Sequence, residues 1–462
     1  MKYISTRGTA PKLSFEEAVL AGLAADGGLY VPENVPTLSM AEIAALQSLS
    51  YPELAYNIIS HFTGDSIAPE ALKNIIDEAY KTFRHAAVAP LKQLDANTYL
   101  LELFHGETLA FKDFALQFLG RLLDHILEKR KQTATVIGAT SGDTGSAAIA
   151  GCRGRNNMDI FIMYPHGRVS DVQRLQMTTV LDENVHKIAL DGTFDDCQDI
   201  VKTLFADVAF REKYHLTAVN SINWARILAQ VVYYFYAAIR LGAPAKAVSF
   251  SVPTGNFGDI YAGYIAKKMG LPIEQLIIAT NRNDILTRTL ATGTYEMTEV
   301  EPSLSPSMDI QISSNFERLL FDLHDHDGKA IAEMMVNFRT QKKLTLSPRA
   351  LSRLRAEFSA ASADDDETKS TIKTCYQATG ELLDPHTAVG LCAGNKARKD
   401  TQIPLVVLAT AHPAKFPDAV ESASSIHPAL PSYLADLFSR KEEFTRLSND
   451  ANAVKQLIEE KT

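Results

Sequence analysis

The sequence predicts an α/β protein built on parallel sheets, preceded by a mainly helical N-terminal region. Three observations carry that reading. Eight short β-rich apolar runs (NTYLLEL, TATVIGAT, MDIFIMYP, VHKIAL, HLTAVN, AVSFSVPTG, QLIIAT and IPLVVLAT) follow one another with helical stretches between them. Such alternation marks parallel strands covered by helices on both faces. The residues before about 95 instead hold helical patterns (SFEEAVLAGLAADGG, MAEIAALQSL, ALKNIIDEAYKTF) broken by Pro and Gly turns. Finally, 462 residues exceed what one core usually serves, so two or three domains are expected.

The chain is 46% hydrophobic and 22% charged, ordinary for a globular protein. Its 46 basic and 55 acidic side chains leave a net charge of −9. That balance argues against nucleic acid as a partner, which requires a basic face. It leaves room for a small anionic substrate held by local arginines and backbone amides. Cys152, Cys197, Cys375 and Cys392 form no CxxC pair, so neither a zinc site nor a disulfide framework is expected. Scattered cysteines fit a reducing cytoplasm. MKYISTRGTAPKLSF lacks the apolar core of a signal peptide. The longest apolar run, AQVVYYFYAAI from Ala229, is too short to span a bilayer and reads as a buried helix, so no membrane partner is expected. From about 283 to 400 the pattern is helical, with the acidic SAASADDDETKS as a solvated loop or helix end. LADLFSRKEEFTRLSNDANAVKQLIEE reads as one or two amphipathic C-terminal helices.

In parallel sheets, ligands bind beyond the C-terminal ends of the strands. At the first such end, Thr140-Ser141-Gly142-Asp143-Thr144-Gly145 leads into a small-residue helix. Its glycines allow a tight turn, and the exposed amides of a helix start can hold a carboxylate. A simple capped turn has the same composition. At the second, Thr254-Gly255-Asn256-Phe257-Gly258-Asp259 makes a phosphate cradle or an ordinary tight turn. It lacks the Lys-Ser/Thr of a P-loop and the GxGxxG of a dinucleotide site, which counts against a nicotinamide dehydrogenase. At the third, the hydroxyl of Thr410 can meet a ring nitrogen or cap a helix, and His412 reads as a satisfied buried histidine. Arg168, Ser170, Gln173 and Arg174 follow another strand and suit either an anion or solvent. Ser313, Ser314, Asn315 and Arg318 open an apolar helix in the same ambiguous way. No HExxH or cysteine pair is present, so no catalytic metal is expected; no GxSxG is present either.

Lys112 stands apart. It lies in the first turn of FKDFALQFLG, a helix apolar on nearly every side. Lysine is almost never fully buried without a partner. Desolvation would lower its pKa and make it a nucleophile toward a carbonyl, as in a Schiff base with an aldehyde cofactor such as pyridoxal phosphate. Alternatively its stem is buried and its head reaches water beside Asp113.

FKDFA (111–115), GATSGDTG (138–145), PTGNFGD (253–259) and TAHPAKF (410–416) together resemble the threonine synthase family. TRGT, AVLAGLAADGGLYVPE, NSINWARILAQ, SPSMDIQISSNFERLLF and DPHTAVG add to the match, which runs from about residue 6 to 420 and is similar to the bacterial and fungal branch. The resemblance implies two parallel-sheet α/β domains of the tryptophan synthase β-like, fold-type II kind. It also implies this division: 1–95 helical; 96–130 with 221–462 a large cofactor-binding domain carrying a helical insertion at about 283–400; and 131–220 a small domain. The implied cofactor is pyridoxal 5′-phosphate. The implied reaction turns O-phospho-L-homoserine and water into L-threonine and phosphate, by a monomer or homodimer.

By the same resemblance, Lys112 bonds to the cofactor and acts as general base. Thr254, Gly255, Asn256, Phe257 and Gly258 hold its phosphate. Thr410 faces the ring nitrogen. Thr140, Ser141, Gly142 and Thr144 meet the substrate carboxylate. Many wider relatives carry Asn where this chain has Asp143, which can touch the cofactor's phenolate oxygen only if one of the two holds a proton. Arg168, Ser170, Ser314, Asn315 and Arg318 are the candidates for the substrate phosphate. A threonine or serine dehydratase, or a non-catalytic binder of the cofactor or of phosphate, is the alternative reading.

Overall fold

Strands covered on both faces need apolar residues throughout, and the runs supply them: Val248–Pro253 and Leu405–Ala409 are buried at every residue. The computed structural model describes residues 1–218 and 220–462. Each of the eight runs carries a strand. In HLTAVN it is Leu216–Ala218, and Val219 lies outside the described residues.

The strands form two larger sheets. The six-stranded one runs Phe358–Ser362, Ile273–Thr280, Val248–Pro253, Leu405–Ala409, Thr98–Glu102, Leu91–Gln93, parallel except at the last pair. The five-stranded one runs Thr445–Ser448, Val185–Asp191, Met158–Pro165, Ala134–Ala139, Leu216–Ala218, all parallel.

Two segments differ from expectation. The start of SAASADDDETKS is not a loop. Phe358–Ser362 forms an edge strand beside Ile273–Thr280, and only from Asp365 does the helix to Thr379 begin. The C-terminal segment is not purely helical either, nor does it sit with the large sheet. Thr445–Ser448 pairs with Val185–Asp191, and the helix Ala451–Lys461 buries Val454 and Ile458 against Cys197, Ile200 and Leu204 on the smaller sheet. A half-exposed edge strand needs only a few apolar residues, so its sequence signal is weak.

The N-terminal helices Phe15–Ala21, Met40–Ala45, Tyr51–Thr63 and Pro69–Tyr80 share one core with the large sheet's helix Trp224–Arg240. Tyr3 and Phe62 each lie 6.0 Å from Trp224, ring to ring. A short antiparallel pair, Tyr3–Ser5 with Tyr30–Pro32, also stands in this region.

One contact joins the two halves most closely. The helix Lys112–Arg130 packs backbone to backbone on Asp143–Cys152, which follows the first strand of the smaller sheet. A Cβ on Gly120 would lie 2.1 Å from the Gly151 carbonyl oxygen, and one on Gly151 2.3 Å from that of Leu116. Backbone cannot yield as a side chain does. Gly151→Ala is therefore expected to lower stability by about 3 kcal/mol, the upper range of overpacking costs, read as a fall in the thermal unfolding midpoint.

Candidate active site

The chain approaches Lys112 through a turn whose Ala110 forms an isolated antiparallel bridge to Ala411. Phe111 N–H donates to the Thr410 carbonyl (2.9 Å) and His412 N–H to that of Leu109 (3.0 Å). Thr410 thereby lies alongside the residues that lead into the lysine's helix. Asp113 is spent on the loop, accepting the Thr108 N–H (2.8 Å) and hydroxyl (2.7 Å). The head of Lys112 thus does not reach water beside Asp113. Its side chain is 11% exposed, its Nζ lies 3.4 Å from Asp143 Oδ2, and the Phe111 ring lies 5.0 Å from the amine. Burial lowers the pKa of this amine and Asp143 works against that, while Lys415 and Arg226 push it further down. A deprotonated amine in such a place is a nucleophile.

Asp143 opens the helix Asp143–Cys152. Thr140 shapes the turn before it, its Oγ1 accepting the N–H of Gly142 (2.9 Å) and of Gly145 (2.8 Å). Gly142 has φ 143°, and a Cβ there would strike Gln173. Thr140 thus takes the amides of Gly142 and Gly145, and among the described residues no side chain accepts from those of Asp143 and Thr144, which leaves these two open to an anion. Around the Asp143 carboxylate, Oδ1 meets Lys415 (2.9 Å) and Gln173 (3.0 Å), and Oδ2 meets Lys112 and the Ser307 hydroxyl (3.3 Å). Burial would raise its pKa, but Lys415, Lys112 and Gln173 outweigh that and hold it well below the usual carboxylate range. Lys415 is wholly buried; it also donates to the Thr108 carbonyl (2.6 Å) and to Gln176 Oε1 (3.0 Å). His386 donates through Nδ1 to Asp384 (2.9 Å), which leaves its Nε2 to accept the Ser307 N–H (3.3 Å).

The second turn precedes the helix Gly258–Lys268. The Gly255 carbonyl accepts the Ser313 hydroxyl (2.7 Å), and the Asn256 carbonyl accepts both the N–H and the Nδ2 of Asn315 (3.1 Å each). In a trans peptide the N–H points opposite to the carbonyl, so the amides of Asn256 and Phe257 face away from the 313–315 segment. Phe257 is left-handed (φ 64°), and again no side chain caps the helix. The Thr254 hydroxyl is used locally, donating to the Val252 carbonyl (2.6 Å).

Against this turn rests the start of the helix Trp224–Arg240, where Ile227 reaches to 3.3 Å of a Cβ built on Gly258. One residue earlier stands Arg226, 5% exposed, with its Nη1 unpartnered among the described residues. Burial lowers its pKa to about 10, with Tyr233 opposing. A buried guanidinium without a counter-ion is set for an anion. Nearby, Asp259 accepts the Tyr233 hydroxyl (2.5 Å) and the Tyr234 hydroxyl (2.9 Å) at Oδ1, while Oδ2 has no partner among the described residues.

The structure thus brings Lys112, Asp143 and Thr410 together and gives both glycine turns an open helix start. Thr140, Ser141, Gly142 and Thr144 form the first of these. Ser170 caps the helix Asp171–Thr178, and its hydroxyl donates to the Lys415 carbonyl (3.4 Å). Arg168 is exposed in the loop before it. Three candidates serve other ends. Arg318 is wholly buried, its guanidinium donating to the Tyr30 carbonyl (3.1 and 3.0 Å), to the Ile222 carbonyl (2.5 Å) and to Asn315 Oδ1. Asn315 ties Ser221 to Asn256. Ser314 is exposed and lines a separate apolar cavity of about 410 Å³ with Leu23, Met297 and Phe338. Arg226, Lys415, Ser307 and His386 were not among the candidates. Arg226 did carry a signal, as the single charge in WARILAQVVYYFYAAI.

Chemically, the arrangement offers a buried amine for an aldehyde, a glycine turn for its phosphate arm, and a guanidinium for a further anion. Pyridoxal phosphate fits such a set.

Three family models match in succession: "Threonine synthase N terminus" over residues 2–80, "Pyridoxal-phosphate dependent enzyme" over 83–336 and "Threonine synthase, C-terminal" over 387–458. The threonine synthase of Pseudomonas aeruginosa is 57% identical over 459 residues, covering 99% of this chain and 98% of the relative. Among solved structures, the pyridoxal-phosphate-bound threonine synthase from Brucella melitensis aligns with TM-score 0.98 at 55% identity, over 100% of this chain and 99% of that one. The yeast threonine synthase structure aligns with TM-score 0.95 at 45% identity, over 100% and 98%.

Asp259 yields a pH prediction. Burial raises its pKa to about 7, against the hydrogen bonds of Tyr233 and Tyr234. A solvated aspartate gives up its proton near ~3.9. The folded chain therefore binds more protons in that window, and this contribution to stability is complete below the solvated value and lost as pH rises through the folded one. Thermal unfolding across the window should show a midpoint that falls less steeply with pH for Asp259→Asn than for the parent.

Proposed function

The chain belongs to the threonine synthase family and is a pyridoxal-phosphate-dependent lyase of fold-type II; from that premise we propose that it converts O-phospho-L-homoserine and water to L-threonine and phosphate, the last step of threonine biosynthesis. The observation that carries this reading is the buried Lys112 amine, desolvated and in contact with the Asp143 carboxylate at the start of the helix Asp143–Cys152.

When bound, pyridoxal phosphate supplies a ring that withdraws electrons from the substrate's carbons. Lys112 is the group that bonds to its aldehyde. Displaced by the substrate amine, the neutral Lys112 Nζ takes the Cα proton and later returns one. Gly255, Asn256, Phe257 and Gly258 hold the cofactor phosphate through backbone amides, and Thr410 presents a hydroxyl to the ring nitrogen. The helix start at Ser141, Gly142 and Thr144 receives the substrate carboxylate. For the substrate phosphate, which must be held and then leave from Cγ, the buried and unpartnered Arg226 is the principal clamp. The exposed Arg168 offers an outer cation, with Ser170 behind it. Arg318 and Asn315 act one step removed, by shaping the cradle from behind.

Family membership leaves a threonine or serine dehydratase, or a binder without catalysis, with nothing in its favour. We place the reaction in the cytoplasm, carried out by a monomer or homodimer without nucleic acid or membrane. The four free cysteines and the net charge of −9 support this, and no described helix is long and apolar enough to cross a membrane.

The test is phosphate release and threonine formation from O-phospho-L-homoserine by the purified chain. Lys112→Ala should lose the visible absorption of the bound cofactor and about a thousandfold or more in turnover. Activity confined to serine or threonine, or full turnover by that variant, would overturn the reading. Arg226→Met should raise KM about ten- to a hundredfold, the worth of a charge-assisted hydrogen bond, with a smaller effect on kcat.

A further inference from the structure

A lysine beside a carboxylate in a dry pocket ordinarily keeps its proton, and an ammonium cannot attack an aldehyde. Asp143 is the carboxylate that touches Lys112, and it is held firmly ionised. Something must therefore loosen its grip on the amine. We propose that Lys415 is a positioning residue for Lys112: its ammonium takes up the Asp143 carboxylate and so prevents that carboxylate from fixing a proton on the Lys112 amine. The inference rests on the reading that Lys112 bonds to the cofactor.

The geometry carries it. Lys415 has three N–H donors and three acceptors: Asp143 Oδ1 at 2.9 Å, the Thr108 carbonyl at 2.6 Å and Gln176 Oε1 at 3.0 Å. It is wholly buried, whereas the side chain of Lys112 is 11% exposed. Its contact to the carboxylate is the shorter of the two, 2.9 Å against 3.4 Å. Apart from Lys112, the Asp143 carboxylate accepts from Lys415, Gln173 and Ser307.

The charged groups facing Lys112 come from four elements: Asp143, Lys415, Arg226 and Asp259. Asp259 holds its proton up to about pH 7. One ionised carboxylate then faces two fixed cations, Lys415 and Arg226. His386 spends its Nε2 on the Ser307 N–H, and it is the Ser307 hydroxyl that meets Asp143. Lys415 also belongs to the segment that begins at Thr410, whose carbonyl receives the Phe111 N–H, so one stretch of chain sets both the lysine and its counter-charge.

The proposal predicts opposite signs for two substitutions. The full chain is stripped of cofactor, and the rate at which it takes up pyridoxal phosphate is followed by visible absorbance as a function of pH. That rate tracks the neutral fraction of Lys112 and does not involve turnover. Lys415→Met should move the midpoint up by about one pH unit, a tenfold slower uptake at a fixed pH below it. Asp143→Asn should move the midpoint down. Lys415→Arg should keep it near the parent's, and the double variant Lys415→Met with Asp143→Asn should return toward it. Loss of structure alone would not give shifts of opposite sign. Midpoints that move together, or that do not move, overturn the proposal. If Lys415→Met fails to fold by circular dichroism, Asp143→Asn decides alone, since an unmoved or raised midpoint also overturns it. A parent chain that takes up no cofactor, or a Lys112→Ala variant that still bonds it, would instead overturn the functional reading.

Discussion

Taking an ion out of water costs several kcal/mol even after the protein relaxes, so a buried carboxylate must be met on every side. Asp143 is met by Lys112, Gln173, Ser307 and Lys415, four side chains from four separate stretches of chain. This requirement ties together four segments that are far apart in the sequence. It draws the turn after the first strand of the smaller sheet toward the lysine's helix and the segment that follows Leu405–Ala409. The same requirement explains why Gln176 and the Thr108 carbonyl are spent on Lys415.

Packing makes that meeting possible. The glycine contact between Lys112–Arg130 and Asp143–Cys152 sets the two helices at a separation no larger residue allows, so the amine and the carboxylate at their starts fall within reach of each other. The cradle is built the opposite way, with its carbonyls pulled outward by Ser313 and Asn315 and its amides left free. Arg318 anchors that arrangement to Tyr30 and Ile222, so the N-terminal region contributes to the site without entering it.

Much of this was legible in the residues, for reasons that also explain what was not. The eight strands showed because strands buried on both faces are continuous apolar runs. Phe358–Ser362 is an edge of small residues, and Thr445–Ser448 is largely exposed, so neither had such a run. Lys112 showed as the one cation in the apolar stretch FKDFALQFLG. Arg226 obeys the same rule but lies just before the apolar run from Ala229 that reads as core. Arg318 and Asn315 were read as ligands because a polar cluster before an apolar helix looks alike whether it serves a substrate or the backbone; its carbonyl partner on Tyr30 lies 288 residues away. Lys415 gave no sign, because its meaning depends on Asp143 and Thr108, which only the fold brings near.

The order of strands in the two sheets bears on how the protein is made. Leu405–Ala409 lies inside the larger sheet, between Thr98–Glu102 and Val248–Pro253, and Thr445–Ser448 completes the smaller one. A ribosome releases the chain from its N-terminus, so both sheets wait for segments that emerge long after the strands they pair with. Until then Thr98–Glu102 and Val248–Pro253 each present a bare edge of backbone donors and acceptors, the condition under which nascent chains aggregate or become clients of chaperones.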